Sequence, residues 1–125
     1  MPESDPGPIL VVDDDPAILS AVAEVLRTEG YEVETALNGA RALDVVDASN
    51  PSLVLLDMRM PVLDGWAFAR VVRERGLRLP TIVMTAAHDA AAWAEEIGAD
   101  GFLPKPFQID ELIAMVRRHH AAASG

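Results

Sequence analysis

The stretch LVLLDMRMP, residues 53–61, is the part of the sequence that decides the fold. Its apolar run over residues 53–56 predicts a strand buried on both faces of a parallel sheet. Asp57 follows the run directly. Its carboxylate is therefore expected at the carboxyl end of that strand, the edge where α/β proteins place their chemistry. Because an acid at the end of a buried strand is costly, Asp57 is the first candidate functional residue.

A second apolar run, ILVV over residues 9–12, leads into three acids, DDD over residues 13–15. Two parallel strands would bring Asp13, Asp14 and Asp57 to the same edge of the sheet. Carboxylates that lie close together repel one another and retain protons unless a cation neutralises them. The pattern therefore indicates a metal site formed by these acids.

Strands and helices alternate along the whole chain. Apolar or alternating runs predict five strands, over residues 9–12, 31–34, 53–56, 81–85 and 101–104. Three of the helices between and after them follow predicted caps at Asp15, Asn38 and Asp64, and the last two are predicted over about residues 89–97 and 109–120. The last helix is predicted to place Ile109, Leu112, Ile113 and Val116 on its core side. This alternation predicts a single doubly wound α/β domain with helices on both faces of a parallel sheet.

Composition bounds the class of protein. A chain of 125 residues, half of them hydrophobic, is long enough for one domain with a full core. The net charge of -10 argues against direct nucleic-acid binding by this domain, and no apolar stretch is long enough to cross a membrane. The sequence has no Cys, which favours a cytoplasmic protein. We expect a disordered lead-in over residues 1–7, the domain over 8–121 and a frayed tail over 122–125.

The predicted strands end in, or lead to, a set of polar residues with complementary chemistry. They are Asp13, Asp14, Asp57, Thr85 and Lys105, and all would lie at the same edge of a parallel sheet. Carboxylates bind a hard cation such as Mg²⁺, while a hydroxyl and an ammonium can bind the oxygens of a phosphoryl group. Nine of the ten basic residues are Arg and only Lys105 is Lys, which indicates a position that needs a compact ammonium.

Four strings carry a resemblance to a known family. They are ILVVDDDP at 9–16, LVLLDMRMP at 53–61, IVMTA at 82–86 and GADGFLPKPF at 98–107. In this order and spacing they resemble the receiver domain of bacterial two-component response regulators, over about residues 8–120. The resemblance implies a flavodoxin-like fold, a single five-stranded parallel sheet of order 2-1-3-4-5.

The resemblance also implies a role for each matched residue. Asp57 matches the phosphoacceptor. Asp14 matches the direct carboxylate ligand of Mg²⁺ (or Mn²⁺), Asp13 matches the neighbour that acts largely through water, and the backbone carbonyl of Arg59 completes the protein ligands. The side chain of Arg59 occupies a position that tunes the lifetime of the acyl phosphate in the family.

Three further residues match the catalytic and switch positions of the family. Thr85 matches the hydroxyl that binds a phosphoryl oxygen, and Lys105 matches the lysine that pairs with the acceptor carboxylate or its phosphoryl group. The bond between Lys105 and Pro106 matches one that is usually cis. Phe102 matches an aromatic that turns inward with Thr85 on phosphorylation, when the surface of helix four, strand five and helix five changes.

The implied function is a phosphorylation-dependent signalling switch rather than an ordinary enzyme, although such a domain assists its own phosphotransfer and autodephosphorylation. Its expected donor is a sensor histidine kinase or a histidine phosphotransfer protein. An output protein or domain, which the sequence does not identify, would read the switched surface. We expect no membrane contact, and either a monomer or a weak homodimer.

Three other functions are compatible with parts of the pattern. A phosphatase with an aspartate nucleophile usually has a second Asp, the general acid, two residues after the first. This chain has Arg59 at that position. A flavin-binding module would want a Gly- or Ser-rich phosphate loop, where this chain has the acids of residues 13–15. A receiver-shaped interaction module that is never phosphorylated stays open as the alternative, although the intact set of polar residues argues against it.

Overall fold

The computed structural model describes residues 7–124, with the side chains of Ala87 and of residues 121–124 left aside. Five strands, from β1 to β5, cover Ile9–Val12, Val33–Ala36, Leu53–Asp57, Thr81–Ala86 and Gly101–Lys105. Five helices, from α1 to α5, cover Pro16–Thr28, Gly39–Ser49, Gly65–Glu74, Ala87–Ile97 and Ile109–Ser124. Within residues 7–124 no helix is both long enough and apolar enough to cross a membrane.

The five strands form one parallel sheet of order β2-β1-β3-β4-β5, which confirms the predicted fold. β1 pairs with β3 so that Val12 lies opposite Leu56. The next residues along these two strands are Asp13 and Asp57, and the register therefore brings their side chains to adjacent places at the carboxyl edge.

Helices cover both faces of the sheet, as predicted. On one face, α1 and α5 pack on a core cluster that includes Leu26, Leu55 and Leu112. On the other face, α2, α3 and α4 pack on a second cluster that includes Leu56 and Phe68. All four residues of β1 and the first four of β3 are fully buried, as expected for central strands of a parallel sheet covered on both faces.

Side-chain caps fix where three helices begin. Asp15, Asn38 and Asp64 each accept a hydrogen bond of 2.9 Å from a backbone N–H in the first turn of α1, α2 and α3 respectively. Pro16 follows Asp15 as the first residue of α1, where its missing N–H has no helical partner to lose. The predicted caps are confirmed, and all three begin helices directly after loops that leave the carboxyl edge.

The second strand lies two residues later than predicted. β2 begins at Val33 rather than residue 31, and Val33 pairs with Ile9. The reason is that Tyr31 still belongs to the end of α1, because its N–H donates to the carbonyl of Leu26 at 3.1 Å. Its ring packs on the α1 and α5 side of the core and meets His120 edge to face.

The last two helices also differ from the prediction. α4 begins at Ala87, two residues early, and α5 continues to Ser124, where alanines favour helix. Ile109 was predicted on the core side but is 61% exposed, because it lies in the first turn of α5, where the helix leaves the loop. The predicted lead-in and tail reach residues 1–6 and Gly125, which lie outside the described residues.

Candidate functional site

Three carboxylates meet at the carboxyl edge of the sheet and form what we call the acidic site, namely Asp13, Asp14 and Asp57. One oxygen from each lies within 4.8 Å of the others. Asp13 is fully buried and Asp57 is 6% exposed, whereas Asp14 is exposed to solvent. The sequence predicted this convergence, and the strand register produces it.

Lys105 lies between the two buried acids. Its Nζ donates to Asp13 Oδ2 at 2.7 Å and lies 3.9 Å from Asp57 Oδ2. The other oxygen of Asp13 accepts the N–H of Asp15 at 2.9 Å. Asp13 is therefore held on both sides, and the ammonium is closer to Asp13 than to the predicted acceptor. The peptide bond between Lys105 and Pro106 is cis, as the resemblance implied.

The acidic site is short of positive charge. Burial, followed by the charge of Asp13, raises the pKa of Asp57 from 3.8 to about 6, while Lys105 and the backbone N–H of Arg59 pull it down and Asp14 adds a smaller upward push. One ammonium thus compensates three acids only in part. Such a set fits Mg²⁺, which is held through a few carboxylates and keeps several waters, and the exposed Asp14 leaves the site open to solvent.

Thr85 and Phe102 lie on neighbouring strands at increasing distance from the acids. Asp57 pairs with Met84, so the buried Thr85 stands one residue further along β4. Phe102 on β5 is 40% exposed. Arg59 is exposed, and its backbone N–H lowers the pKa of Asp57. The predicted roles of Thr85, Phe102 and the Arg59 carbonyl stay predictions.

Gly65 is a residue that the sequence reading missed. Its N–H donates to the carbonyl of Met58 at 2.9 Å. A Cβ at Gly65 would lie 2.8 Å from Met58 Cα, closer than real Cβ atoms come, and 3.0 Å from the carbonyl oxygen of Asp57, which is a tight contact. The start of α3 is therefore packed directly against the backbone of Asp57. The signal in the sequence was a Gly immediately after the helix cap Asp64.

An aromatic cluster lies beside the acidic site on the α3 and α4 side. We call it the aromatic clamp, and it comprises Arg59, Trp66, Trp93 and Glu96. The Arg59 guanidinium lies 5.0 Å from the centre of the Trp93 ring. Trp93 meets Trp66 edge to face at 4.8 Å, and Trp66 Nε1 donates to Glu96 Oε1 at 2.8 Å. No local pattern in the sequence predicts that these two Trp residues meet, because they lie on different helices.

An apolar groove of about 540 Å³ lies on the opposite side of the acidic site. We call it the α1 groove, and its lining comprises Ile18, Ala21, Val22, Ala86, Lys105, Pro106 and Phe107. α1 buries Leu19, Val22, Ala23 and Leu26 against the sheet, so Ala21 is left exposed. Lys105 belongs to both the groove and the acidic site, and the groove therefore opens beside the predicted acceptor.

The fold and the acidic site together define a receiver domain. Residues 9–117 match the family model described as the response regulator receiver domain. The chain therefore belongs to this family, which the four sequence strings had indicated.

Particular relatives agree with this assignment. The chain is 42% identical over 114 residues to a protein named response regulator MprA from Mycolicibacterium vanbaalenii, covering 90% of this chain and 49% of that protein. The crystal structure of the receiver domain of NtrX from Brucella abortus is 34% identical, with a TM-score of 0.83, and the match covers 90% of this chain and 98% of that one. Chemotaxis protein CheY4 from Vibrio cholerae is 30% identical, with a TM-score of 0.82 and coverage of 92% and 99%. The chain thus spans about half the length of the curated relatives it matches.

Proposed function

We propose that the chain is a signalling switch that accepts a phosphoryl group from phosphohistidine onto Asp57. The observation that carries the proposal is the setting of this carboxylate, which is buried against Asp13 and within 4 Å of the ammonium of Lys105. Burial beside a second carboxylate raises the pKa of Asp57 because both disfavour its charged form. Reactive groups are often held at such a raised pKa.

In the proposed reaction, an oxygen of the Asp57 carboxylate attacks the phosphorus of the donor. A bond forms between that oxygen and phosphorus, and the bond from phosphorus to the donor's histidine nitrogen breaks. The nitrogen leaves with the electron pair. Asp57 must be ionised to attack, and at pH 7 its carboxylate is mostly charged even with a pKa of about 6.

The chain's own residues would position and balance this transfer, which depends on alignment and charge more than on covalent help. Lys105 Nζ, already 3.9 Å from Asp57, would offset the charge of the moving phosphoryl group. Mg²⁺ held by Asp14, Asp57 and the Arg59 carbonyl, with Asp13 acting through water, would supply further positive charge to the phosphoryl oxygens. Thr85 would donate its hydroxyl to one of those oxygens.

The mark would be temporary. Water would attack the phosphorus of the acyl phosphate and the bond between phosphorus and the Asp57 oxygen would break. Inorganic phosphate would be released and the free carboxylate regenerated. The same residues that align the first transfer would align this hydrolysis, so the domain would assist its own dephosphorylation.

The α1 groove supports a protein donor of the phosphoryl group. A donor histidine must reach Asp57 in line, so the protein that carries it must contact the surface next to the acidic site. The groove offers an apolar surface there, with the exposed Ala21 and Lys105 among its lining residues. A helix with an apolar face fits such a groove, and a sensor histidine kinase or a histidine phosphotransfer protein is the proposed partner.

The output of the switch would lie on a surface formed by α4, β5 and α5, rather than in the α1 groove. Phosphorylation adds charge and acceptor oxygens at Asp57, which would draw Thr85 inward and let Phe102 follow it. The changed surface of α4, β5 and α5 would then bind an output protein, or an output domain of a longer chain. We also propose that the switch acts in the cytoplasm.

The test is the intact mass of the chain after incubation with a small acyl-phosphate donor. We expect the gain of one phosphoryl group with Mg²⁺, no gain with a chelator, and no gain in Asp57→Asn. If the folded chain gains no mass from either a small donor or a phosphohistidine protein, the alternative of an unphosphorylated interaction module is favoured.

The same assay tests the groove when a phosphohistidine protein replaces the small donor. Ala21→Glu should slow transfer from the protein by at least about fivefold, because a charge would enter an apolar contact, and leave transfer from the small donor unchanged. Ser20→Glu is the matched control, since Ser20 is exposed on the same helix outside the groove lining. Equal slowing by both variants would remove the groove from the proposal.

A further inference from the structure

Two cationic residues adjoin Asp57 in space or in sequence, and they are held very differently. Lys105 is fixed by its 2.7 Å hydrogen bond to the buried Asp13. Arg59, two residues after Asp57, is exposed, and its guanidinium rests over the Trp93 ring at 5.0 Å. Trp93 is half-buried and Arg59 is exposed, and a cation–π contact at such an exposed site favours the stacked position by a factor of about two to five in equilibrium constant. Lys105 is thus a fixed cation. Arg59 is a weakly held cation, and an anion that binds guanidinium more strongly than the ring does can draw it away.

A phosphoryl group on Asp57 would be such an anion. It carries a charge of about −1.5 to −2 and three acceptor oxygens, and hydrogen bonds from guanidinium to phosphoryl oxygens are among the strong ones because both partners are charged. Arg59 is two residues after the acceptor in the chain, so its side chain need only turn away from α4 to approach Asp57. The ring and the phosphoryl group therefore compete for one guanidinium.

We infer that Trp93 is a positioning residue that holds the Arg59 guanidinium away from Asp57 until the phosphoryl group recruits it. The inference rests on the proposed phosphorylation of Asp57 and deepens it. In the unphosphorylated chain the stack stabilises the resting state. In the phosphorylated chain Arg59 pairs with the phosphoryl oxygens and the face of Trp93 becomes free.

The arrangement links the acidic site to the α3 and α4 side of the molecule. Trp93 is on α4 and meets Trp66 on α3, which is itself anchored to Glu96 of α4. These contacts keep the ring in place when Arg59 leaves it. A protein that binds the freed face of Trp93 would favour the phosphorylated state, and by reciprocity phosphorylation would strengthen that binding.

If the Trp93 ring and the phosphoryl group compete for Arg59, removing the ring should strengthen the binding of a phosphoryl mimic. Beryllium fluoride, which binds an aspartate carboxylate with Mg²⁺ as a phosphoryl mimic, is titrated into the whole chain and bound fluoride is followed by fluorine NMR. Trp93→Leu should raise the apparent affinity about two- to fivefold, because the competing stack is lost. Arg59→Met should lower the affinity. In the Arg59→Met background, Trp93→Leu should then have no effect.

This double-mutant cycle separates coupling from damage to the fold, because Trp93→Leu is compared in two backgrounds. Trp66→Phe keeps the ring over which Arg59 lies but loses the hydrogen bond to Glu96, so it reports the effect of loosening the clamp alone and should change the affinity less than Trp93→Leu does. A second readout is Trp emission, which should change on beryllium fluoride binding in the native chain and not in Arg59→Met. The same effect of Trp93→Leu in both backgrounds, or a fall in affinity with Arg59 present, would overturn the inference.

If Asp57 is not a phosphoacceptor, the same titration gives a different result from the one expected if only the role of Trp93 is wrong. If the native chain does not bind beryllium fluoride, and Asp57→Asn behaves identically, phosphorylation of Asp57 is itself rejected. If the native chain binds the mimic and the cycle shows no coupling, the acceptor role stands and only the role of Trp93 falls.

Discussion

The acidic site and the aromatic clamp adjoin Asp57, but they are built in opposite ways. In the acidic site, Asp13 and Asp57 are buried, and Lys105 is hydrogen-bonded to Asp13. In the clamp, Arg59 is exposed and its guanidinium lies over the face of the Trp93 ring. Fixed charges suit a step that needs alignment, because reorganisation during the reaction is avoided. A weakly held side chain suits a conformational response to phosphorylation, because a small change in free energy is enough to move it. Of the two cations near Asp57, Lys105 thus serves the phosphotransfer chemistry and Arg59 serves the response to it.

Removing the fixed cation should produce the largest effect. Lys105→Met leaves three acids without their ammonium, and we expect phosphorylation by a small acyl-phosphate donor to slow by about 10²–10³, the usual loss when an electrostatic stabiliser is removed. The pKa of Asp57 should rise further, since Lys105 lowers it. Initial rates of phosphoryl gain by intact mass, at saturating Mg²⁺, measure the first effect.

The control for Lys105→Met removes a cation from the surface. Arg117 lies 2.8 Å from Glu29 in an exposed ion pair, and such pairs contribute little. Arg117→Met should therefore leave the phosphorylation rate unchanged. A loss below about threefold in Lys105→Met would mean that the ammonium is not a fixed part of the chemistry, and the contrast with the clamp would disappear.

The second prediction concerns stability and pH. The raised pKa of Asp57 means that the folded chain binds this proton more tightly than the unfolded chain, so stability is lost as pH rises from about 4 through 6. Asp57→Asn lacks this loss. Without metal, its unfolding free energy should exceed that of the native chain by up to about 3 kcal/mol at pH 7, and by little below pH 4.

Urea titrations of both chains at pH 4 and pH 7, in chelator, measure this difference. Mg²⁺ should then reverse it at pH 7, because an ion that binds the folded state alone stabilises the native chain and has no comparable site in the variant. A difference that does not depend on pH would show that the carboxylate of Asp57 is not destabilised by its surroundings.

The sequence predicted the fixed region better than the responsive one. Asp13, Asp57 and Lys105 follow apolar strands, and parallel strands bring their ends to one edge whatever the helices do. The clamp depends on how α3 and α4 pack, which places Trp66 against Trp93 although they are far apart in the chain. No local pattern encodes that contact. For the same reason the burial of Ile109 was predicted wrongly, since helical periodicity identifies a face but not where the helix meets the core.

The smallest stability effect is expected at the edge of the responsive region. Phe102 is 40% exposed, so Phe102→Ala should lower the unfolding free energy by less than about 2 kcal/mol, below the cost of a fully buried aromatic.

The effect of Phe102→Ala on the switch should be larger than its effect on stability. Beryllium fluoride should change hydrogen exchange in α4 and β5 of the native chain, and this change should shrink in Phe102→Ala and in Thr85→Ala. Leu77→Ala is the matched control, because Leu77 is similarly exposed, at 39%, and lies far along the chain from β5. An unchanged exchange response in Thr85→Ala would separate Phe102 from Asp57 and leave Arg59 as the proposed link between the acidic site and α4.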